Sequence, residues 1–213
     1  MVVYDLDGTL ADTRQDITRA ANVMRARMGL PPLARIEVCR HVGLGLTHLI
    51  RSCLSMEDPV RLEEGRRIYL EHYAAHLLDS TELYPGVREV LDHFQDRAQA
   101  VVTNKPDPYS RRILEGLGIA GRFRRIIAGD SGYPKKPDPE ALLAILKQEG
   151  VPPEEALIVG DSPIDVETGR RAGVASVGVA QGFVPREELE AAGPDRLAED
   201  FRRLLEMAKK EEW

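Results

Sequence analysis

Apolar residues along this chain fall into two alternating rhythms. A short run of buried-strand character opens the sequence at residues 2–4. Similar runs recur at 98–104 (AQAVVTN), 124–130 (RRIIAGD), 156–161 (ALIVGD) and 174–179 (VASVGV), each ending in polar residues or glycine. Between them the apolar positions return every three or four residues: Val87, Val90, Leu91 and Phe94; Ile113, Leu114 and Leu117; Ala141, Leu142, Ile145 and Leu146. That is the spacing of helices with one covered face. Strands alternating with such helices predict right-handed crossovers and a mainly parallel sheet between two helical layers, an α/β core of three layers.

The alternation lapses between the first strand and about Glu82. Ile17, Ala20, Ala21, Met24 and Met28 form one apolar stripe, Thr13 stands where a helix cap belongs, and Gly29 followed by Pro31 and Pro32 gives a stop. A second helical pattern runs through Leu62, Ile68, Tyr69, Tyr73 and Leu77. The expected organisation is a Rossmann-like parallel core made of residues 1–13 and 82–213. Residues 14–81 are inserted as a small helical domain that re-enters the sheet domain at LYPGV, 83–87.

Composition narrows the function more than the fold. A formal charge of -6 disfavours nucleic acid as the main partner, since phosphate contacts need clustered Lys and Arg. Cys39 and Cys53 are too few for a disulfide framework and have no nearby His or Cys in zinc-site spacing, so they read as thiols in a reducing compartment. Only four residues precede Asp5 and no apolar stretch approaches a membrane span, so a cytoplasmic protein is expected.

Open parallel sheets bind ligands beyond the carboxyl ends of their strands. Residues just after each run therefore carry the candidate chemistry: Asp5 and Asp7, then Thr103 and Asn104, then Asp161 and Asp165. Lys135 and Lys136 precede the helix that begins at PDPEALL. Four carboxylates on one rim raise one another's pKa unless a cation neutralises them, and all-oxygen ligation suits Mg2+. The lysine and hydroxyl ask for an anion beside the metal, and phosphate fits both. Gly8 and Gly160 let the backbone approach closely. Each segment alone has an ordinary alternative, Asp161 or Ser162 as a helix cap among them, and the weight lies in their joint placement.

Taken together, DLDGT (5–9), Thr103 after its strand, KKPDP (135–139) and GDSPID (160–165) resemble the four motifs of the haloacid dehalogenase-like hydrolases, in order and across the whole core. The helical insertion is similar to the α-helical cap of the subgroup that contains phosphoglycolate phosphatase and β-phosphoglucomutase. The resemblance implies that Asp5 is the nucleophile, forming an aspartyl phosphate, and that Asp7 is the general acid and then the base. It implies further that Asp5, the Asp7 carbonyl, Asp161 and Asp165 hold Mg2+, and that Thr103, the Asn104 amide and Lys136 meet the phosphate. Lys136 is preferred over Lys135 because it directly precedes the proline.

The insertion should choose the substrate. Its candidate contact loop is HVGLGLTHLI, 41–50, where Gly43 and Gly45 offer close backbone approach. The alternative there is a plain turn with Leu44, Leu46 and Leu49 as core. Arg14 could meet a substrate carboxylate or serve as an exposed helix-start charge, His41 and His48 take no assigned role, and the tail EMAKKEEW reads as a solvated helix end. The leading expectation is a Mg2+-dependent phosphatase of a small phosphorylated metabolite, 2-phosphoglycolate first, working as a monomer or homodimer. The alternatives are a phosphomutase of the β-phosphoglucomutase type and a catalytically silent binding protein.

Overall fold

The computed structural model describes residues 1–210. Its centre is β1 (Val2–Tyr4), flanked by β4 (Gln99–Val102) and β6 (Leu157–Gly160). Outside these lie β5 (Arg125–Ile127) on one edge and β7 (Ala175–Val179) then β8 (Arg196–Ala198) on the other. The order is β5-β4-β1-β6-β7-β8 with every neighbouring pair parallel, as the alternation of runs predicts. The first five of these in chain order fall inside the apolar runs. β8 was not foreseen: three residues, one of them exposed, leave too little pattern.

Side chains on a strand alternate between faces, and β1 sorts the core accordingly. Val2 and Tyr4 join one apolar cluster with α5 (Val87–His93), α6 (Tyr109–Gly116) and α10 (Phe201–Lys209). Met1 and Val3 join another with α7 (Glu140–Glu149) and the end of α8 (Pro163–Ala172). Burying each Leu or Ile in these layers contributes about 1.5–3 kcal/mol. α9 (Arg186–Ala191) lies between β7 and β8 in the chain. The tail is less solvated than its sequence suggests, because Met207 and Ala208 of α10 are buried against the sheet, while residues 211–213 lie outside the described residues.

The inserted segment is helical: α1 (Arg14–Arg27), α2 (Arg35–Cys39), α3 (Leu46–Leu54) and α4 (Pro59–His76). Its apolar residues continue the first cluster without a break, from Leu6 and Leu10 into Ile17, Met24, Ile50 and Tyr69. The two connections to the core pair with each other, β2 (Ala11–Asp12) running antiparallel to β3 (Glu82–Leu83). The buried Asp16 carboxylate ties the exit to the return, accepting from Ser80 N and Thr81 Oγ1, each at 2.9 Å.

Two details differ from the sequence reading. Thr13 occupies the N-cap position of α1 but makes no capping bond; its hydroxyl turns to Asp7 instead, at 2.7 Å. Leu44 is 46% exposed rather than core, whereas Leu49 is buried. In the first case the hydroxyl donates its one proton to a charged acceptor, and that bond turns its oxygen away from the first-turn amides. In the second, Gly45 starts α3 and leaves Leu44 outside its apolar face.

Candidate active site

Register brings the chemistry together. Tyr4 pairs with Val101 and Val159, so the residues following β1, β4 and β6 emerge side by side at one edge. Asp5, Asp161 and Asp165 each offer a carboxylate oxygen within 4.8 Å of the others, and all three are buried. Lys136 Nζ stands between two of them, 2.6 Å from Asp165 Oδ1 and 3.0 Å from Asp5 Oδ1. The contact to Asp5 is an ion pair without hydrogen-bond alignment, and Asp5 Oδ1 has no hydrogen bond at all. Lys135, by contrast, packs under the loop at Gly45.

Three carboxylates facing one ammonium leave, when all are ionised, an excess of two negative charges in a buried cluster. The titration behaviour reflects it. Burial, reinforced by Asp165 and Asp5, pushes Asp161 up to about 8. Burial raises Asp5 to about 6, against the pull of Lys136 and with a further push from Asp165. Burial acts to lower the Lys136 ammonium, but Asp165 and Asp5 outweigh it and hold it above the usual lysine range. Thr9 Oγ1 and the Phe183 amide donate to Asp161 at 2.9 and 2.8 Å, and Ser162 Oγ donates to Asp165 Oδ2 at 2.7 Å. Ser162 therefore serves Asp165 rather than capping α8 with its hydroxyl. Gly8 completes the cradle: with φ +85° it takes a conformation glycine favours, and a Cβ there would lie 2.2 Å from Asp161 Oδ2.

Asp7, two residues on, sits in a separate pairing. Lys105 Nζ forks onto its two oxygens at 3.0 and 3.1 Å, and Thr13 Oγ1 adds a third bond. Lys105 was missed in the sequence, although it directly follows Thr103 and Asn104 at the same strand end; the rule that found its neighbours reaches it too. Its amide donates to Thr103 Oγ1 at 3.2 Å, leaving that hydroxyl's proton to point elsewhere.

A cavity of about 50 Å3 lies between the strand ends and the inserted helices, lined from the core by Asp5, Asp7, Thr103, Asn104 and Lys105. From the insertion come apolar Val42, Leu46, Leu49 and Leu70, the rings of Tyr69 and Tyr73, and Gly43 and Gly45. The 41–50 loop is latched to the core. Asn104 Nδ2 donates to Gly43 O at 2.8 Å and to Lys136 O at 2.9 Å, while its Oδ1 accepts from Lys136 N at 2.9 Å. Gly45, at φ +91°, passes so close to Lys135 that a Cβ would meet its Cε at 2.9 Å. Arg14 is not brought to the cavity: it grips Asp12 at 2.8 and 2.5 Å and stacks near Tyr84 and Phe183. His41 and His48 contact each other, centroids 5.9 Å apart, and do not line the cavity.

This arrangement has relatives. Residues 2–179 match the model of a family described as haloacid dehalogenase-like hydrolase. The phosphoglycolate phosphatase of Pseudomonas putida is 37% identical over 215 residues, covering 96% of this chain and 78% of that protein. The phosphoglycolate phosphatase of Chromobacterium violaceum is 35% identical over 215 residues, covering 98% of this chain and 96% of that one. The crystal structure of a predicted phosphoglycolate phosphatase from Haemophilus somnus superposes with a TM-score of 0.93 at 27% identity, covering 98% of this chain and 97% of the other. Four strand-end segments in family order, a family match across the sheet and its insertion, and relatives spanning nearly the whole chain agree: the protein belongs to the haloacid dehalogenase-like hydrolases.

Proposed function

We propose that this hydrolase is a Mg2+-dependent phosphatase of a small phosphorylated metabolite, with 2-phosphoglycolate its leading substrate. The observation that carries the metal is the excess of two negative charges among Asp5, Asp161, Asp165 and Lys136, together with the unbonded Asp5 Oδ1. A hard divalent cation fits that donor set in charge and ligand type. Asp5, Asp161, Asp165 and the Asp7 carbonyl would hold it. Bound there, it would supply neutralising charge to the nucleophile and to the phosphoryl oxygens.

Asp5 attacks phosphorus and becomes an aspartyl phosphate, which divides a slow hydrolysis into two displacements. Lys136 accompanies the carboxylate and meets the incoming phosphate; the Thr103 hydroxyl and the Asn104 backbone amide bind its oxygens. The Asn104 side chain is already spent on Gly43 and Lys136, where it holds the loop and the lysine in place. Asp7 protonates the leaving oxygen and then takes a proton from the water that cleaves the acyl phosphate. Residues 14–81 act as a cap that closes the site, with β2 and β3 as the two links to the core.

The cavity favours hydrolysis over the phosphomutase alternative. Its insertion-side wall is apolar apart from two tyrosines, and a hexose phosphate would leave most of its hydroxyls without partners there. The names of the curated relatives supply phosphoglycolate. The deciding experiment is hydrolysis of p-nitrophenyl phosphate by wild type and Asp5→Asn, each with Mg2+ and with chelator. Mg2+-dependent release by the wild type and a loss of roughly 10^3-fold or more in the variant are expected. Equal rates for the two proteins would remove Asp5 as nucleophile.

A further inference from the structure

The cavity holds a cation that phosphate transfer does not require. Lys105 is buried, and among the lining residues it is the sole ammonium, facing the apolar insertion wall. Its Nζ grips Asp7 and lies 4.8 Å from the centroid of the Tyr73 ring. Tyr73 lines the same cavity, is 2% exposed, and its hydroxyl is buried with no hydrogen-bond partner. An ammonium with a donor beyond its carboxylate fork and an unpartnered hydroxyl, both on one small cavity, make a receptor for a second anion.

We infer that Lys105, aided by the Tyr73 hydroxyl, is a specificity-determining residue that binds a carboxylate on the leaving group, restricting the enzyme to short phosphorylated acids. The inference rests on the phosphatase reading above. If Asp7 protonates the ester oxygen, that oxygen lies within about 2.6–3.2 Å of its carboxyl. In a phosphorylated 2-hydroxy acid the carboxylate carbon is two bonds beyond the ester oxygen. Lys105, already 3.0 Å from Asp7, is then the cation that such a carboxylate meets. An uncharged alcohol of the same length leaves the ammonium and hydroxyl unanswered in an apolar wall, which is costly.

The test compares kcat/KM for 2-phosphoglycolate and for 2-hydroxyethyl phosphate, in wild type, Lys105→Gln and Lys105→Arg with Mg2+. Lys105 also grips Asp7, so its loss slows both substrates; the ratio between them isolates carboxylate binding. The wild type should prefer the acid by about 10- to 100-fold, and Lys105→Gln should collapse that ratio, the acid-specific part appearing in KM. Lys105→Arg should restore part of the ratio. A ratio unchanged in Lys105→Gln, or a wild type that prefers the alcohol, would overturn the inference. The wild-type ratio decides even where the Gln variant fails to fold. A wild type that cleaves p-nitrophenyl phosphate but shows no preference for the acid sinks this inference alone; one that cleaves no ester with Mg2+ sinks the phosphatase reading beneath it.

Discussion

Asp5 and Asp7 are two residues apart and live in opposite electrostatic circumstances. Asp5 belongs to a buried group of three carboxylates with one lysine, and one of its oxygens has no hydrogen bond. Asp7 belongs to a closed pair, matched by Lys105 and Thr13. The first group is incomplete as protein and asks for a divalent cation; the second is complete without one. A single β-strand exit thus separates the proposed metal half of the site from the proposed proton-transfer half, and variants can be chosen to strike one and spare the other.

The largest effects come from the two aspartates themselves. Asp5→Asn removes the proposed nucleophile and should cost roughly 10^3-fold in turnover or more, with no phosphoenzyme on rapid quench. Asp7→Asn should cost roughly 10^2- to 10^4-fold. With a good leaving group such as p-nitrophenol, however, it should still phosphorylate Asp5 and accumulate the acyl phosphate. Accumulation in neither variant, or in both, would erase the division of labour between them.

Next is the metal half alone, read as stability against pH. The Asp161 and Asp5 carboxyls are raised in the fold from near 3.8 to about 8 and about 6. The folded state therefore holds protons that the unfolded state releases, and this contribution is complete below about pH 4 and lost as pH rises through those two values. Lys136, raised from its own ordinary value near 10.5, keeps its contribution throughout that window. Metal-free protein should lose roughly 10–20 °C of Tm between about pH 5 and about pH 8.5, and saturating Mg2+ should flatten the slope by stabilising the ionised forms. The same slope with and without Mg2+ would mean that the ion binds elsewhere.

Gly8→Ala probes the same half through the backbone. Its Cβ would lie 2.2 Å from the Asp161 carboxylate, at a φ that alanine rarely adopts. Mg2+ half-saturation should rise about 10- to 100-fold, the scale seen when partners of metal ligands are disturbed. Asp161→Asn provides the reference: a Gly8→Ala protein with normal Mg2+ affinity would mean that Asp161 can retreat without loss.

The charged groups of the proposed metal half were legible in the sequence, those of the proposed proton-transfer half only in part. DLDGT, KKPDP and GDSPID put each charged side chain of the cluster directly after an apolar run or before a helix, where local pattern suffices. Lys105 and Thr13 reach Asp7 by contacts that pattern does not encode: one crosses from β4 to β1, and the other gives up the capping bond that its residue type predicts while keeping the cap position. β1, β4, β5, β6 and β7 and the helix spacings likewise emerged from periodicity. β8, the pairing of β2 with β3, and the Asn104 latch on Gly43 did not, because two- and three-residue strands and side-chain-to-carbonyl bonds carry no period.

The smallest expected effect is the sharpest test of independence between the halves. Thr13 is fully buried, and Val has nearly its shape, so Thr13→Val deletes one hydrogen bond to Asp7 Oδ1 while Lys105 keeps the carboxylate paired. A lost bond to a charged group is worth about 1.5–3 kcal/mol, which for a chain of this size is a Tm loss of roughly 3–12 °C. Because Asp7 keeps its main partner, kcat should fall no more than about tenfold. The Mg2+ half-saturation should stay where it is, since no atom of Thr13 touches Asp5, Asp161 or Asp165 in the hydrogen-bond network. Titrating Mg2+ against activity in wild type and Thr13→Val checks this directly. A shift in the midpoint would show that loosening Asp7 moves the carbonyl proposed to face the metal, and that the two halves are one cooperative unit.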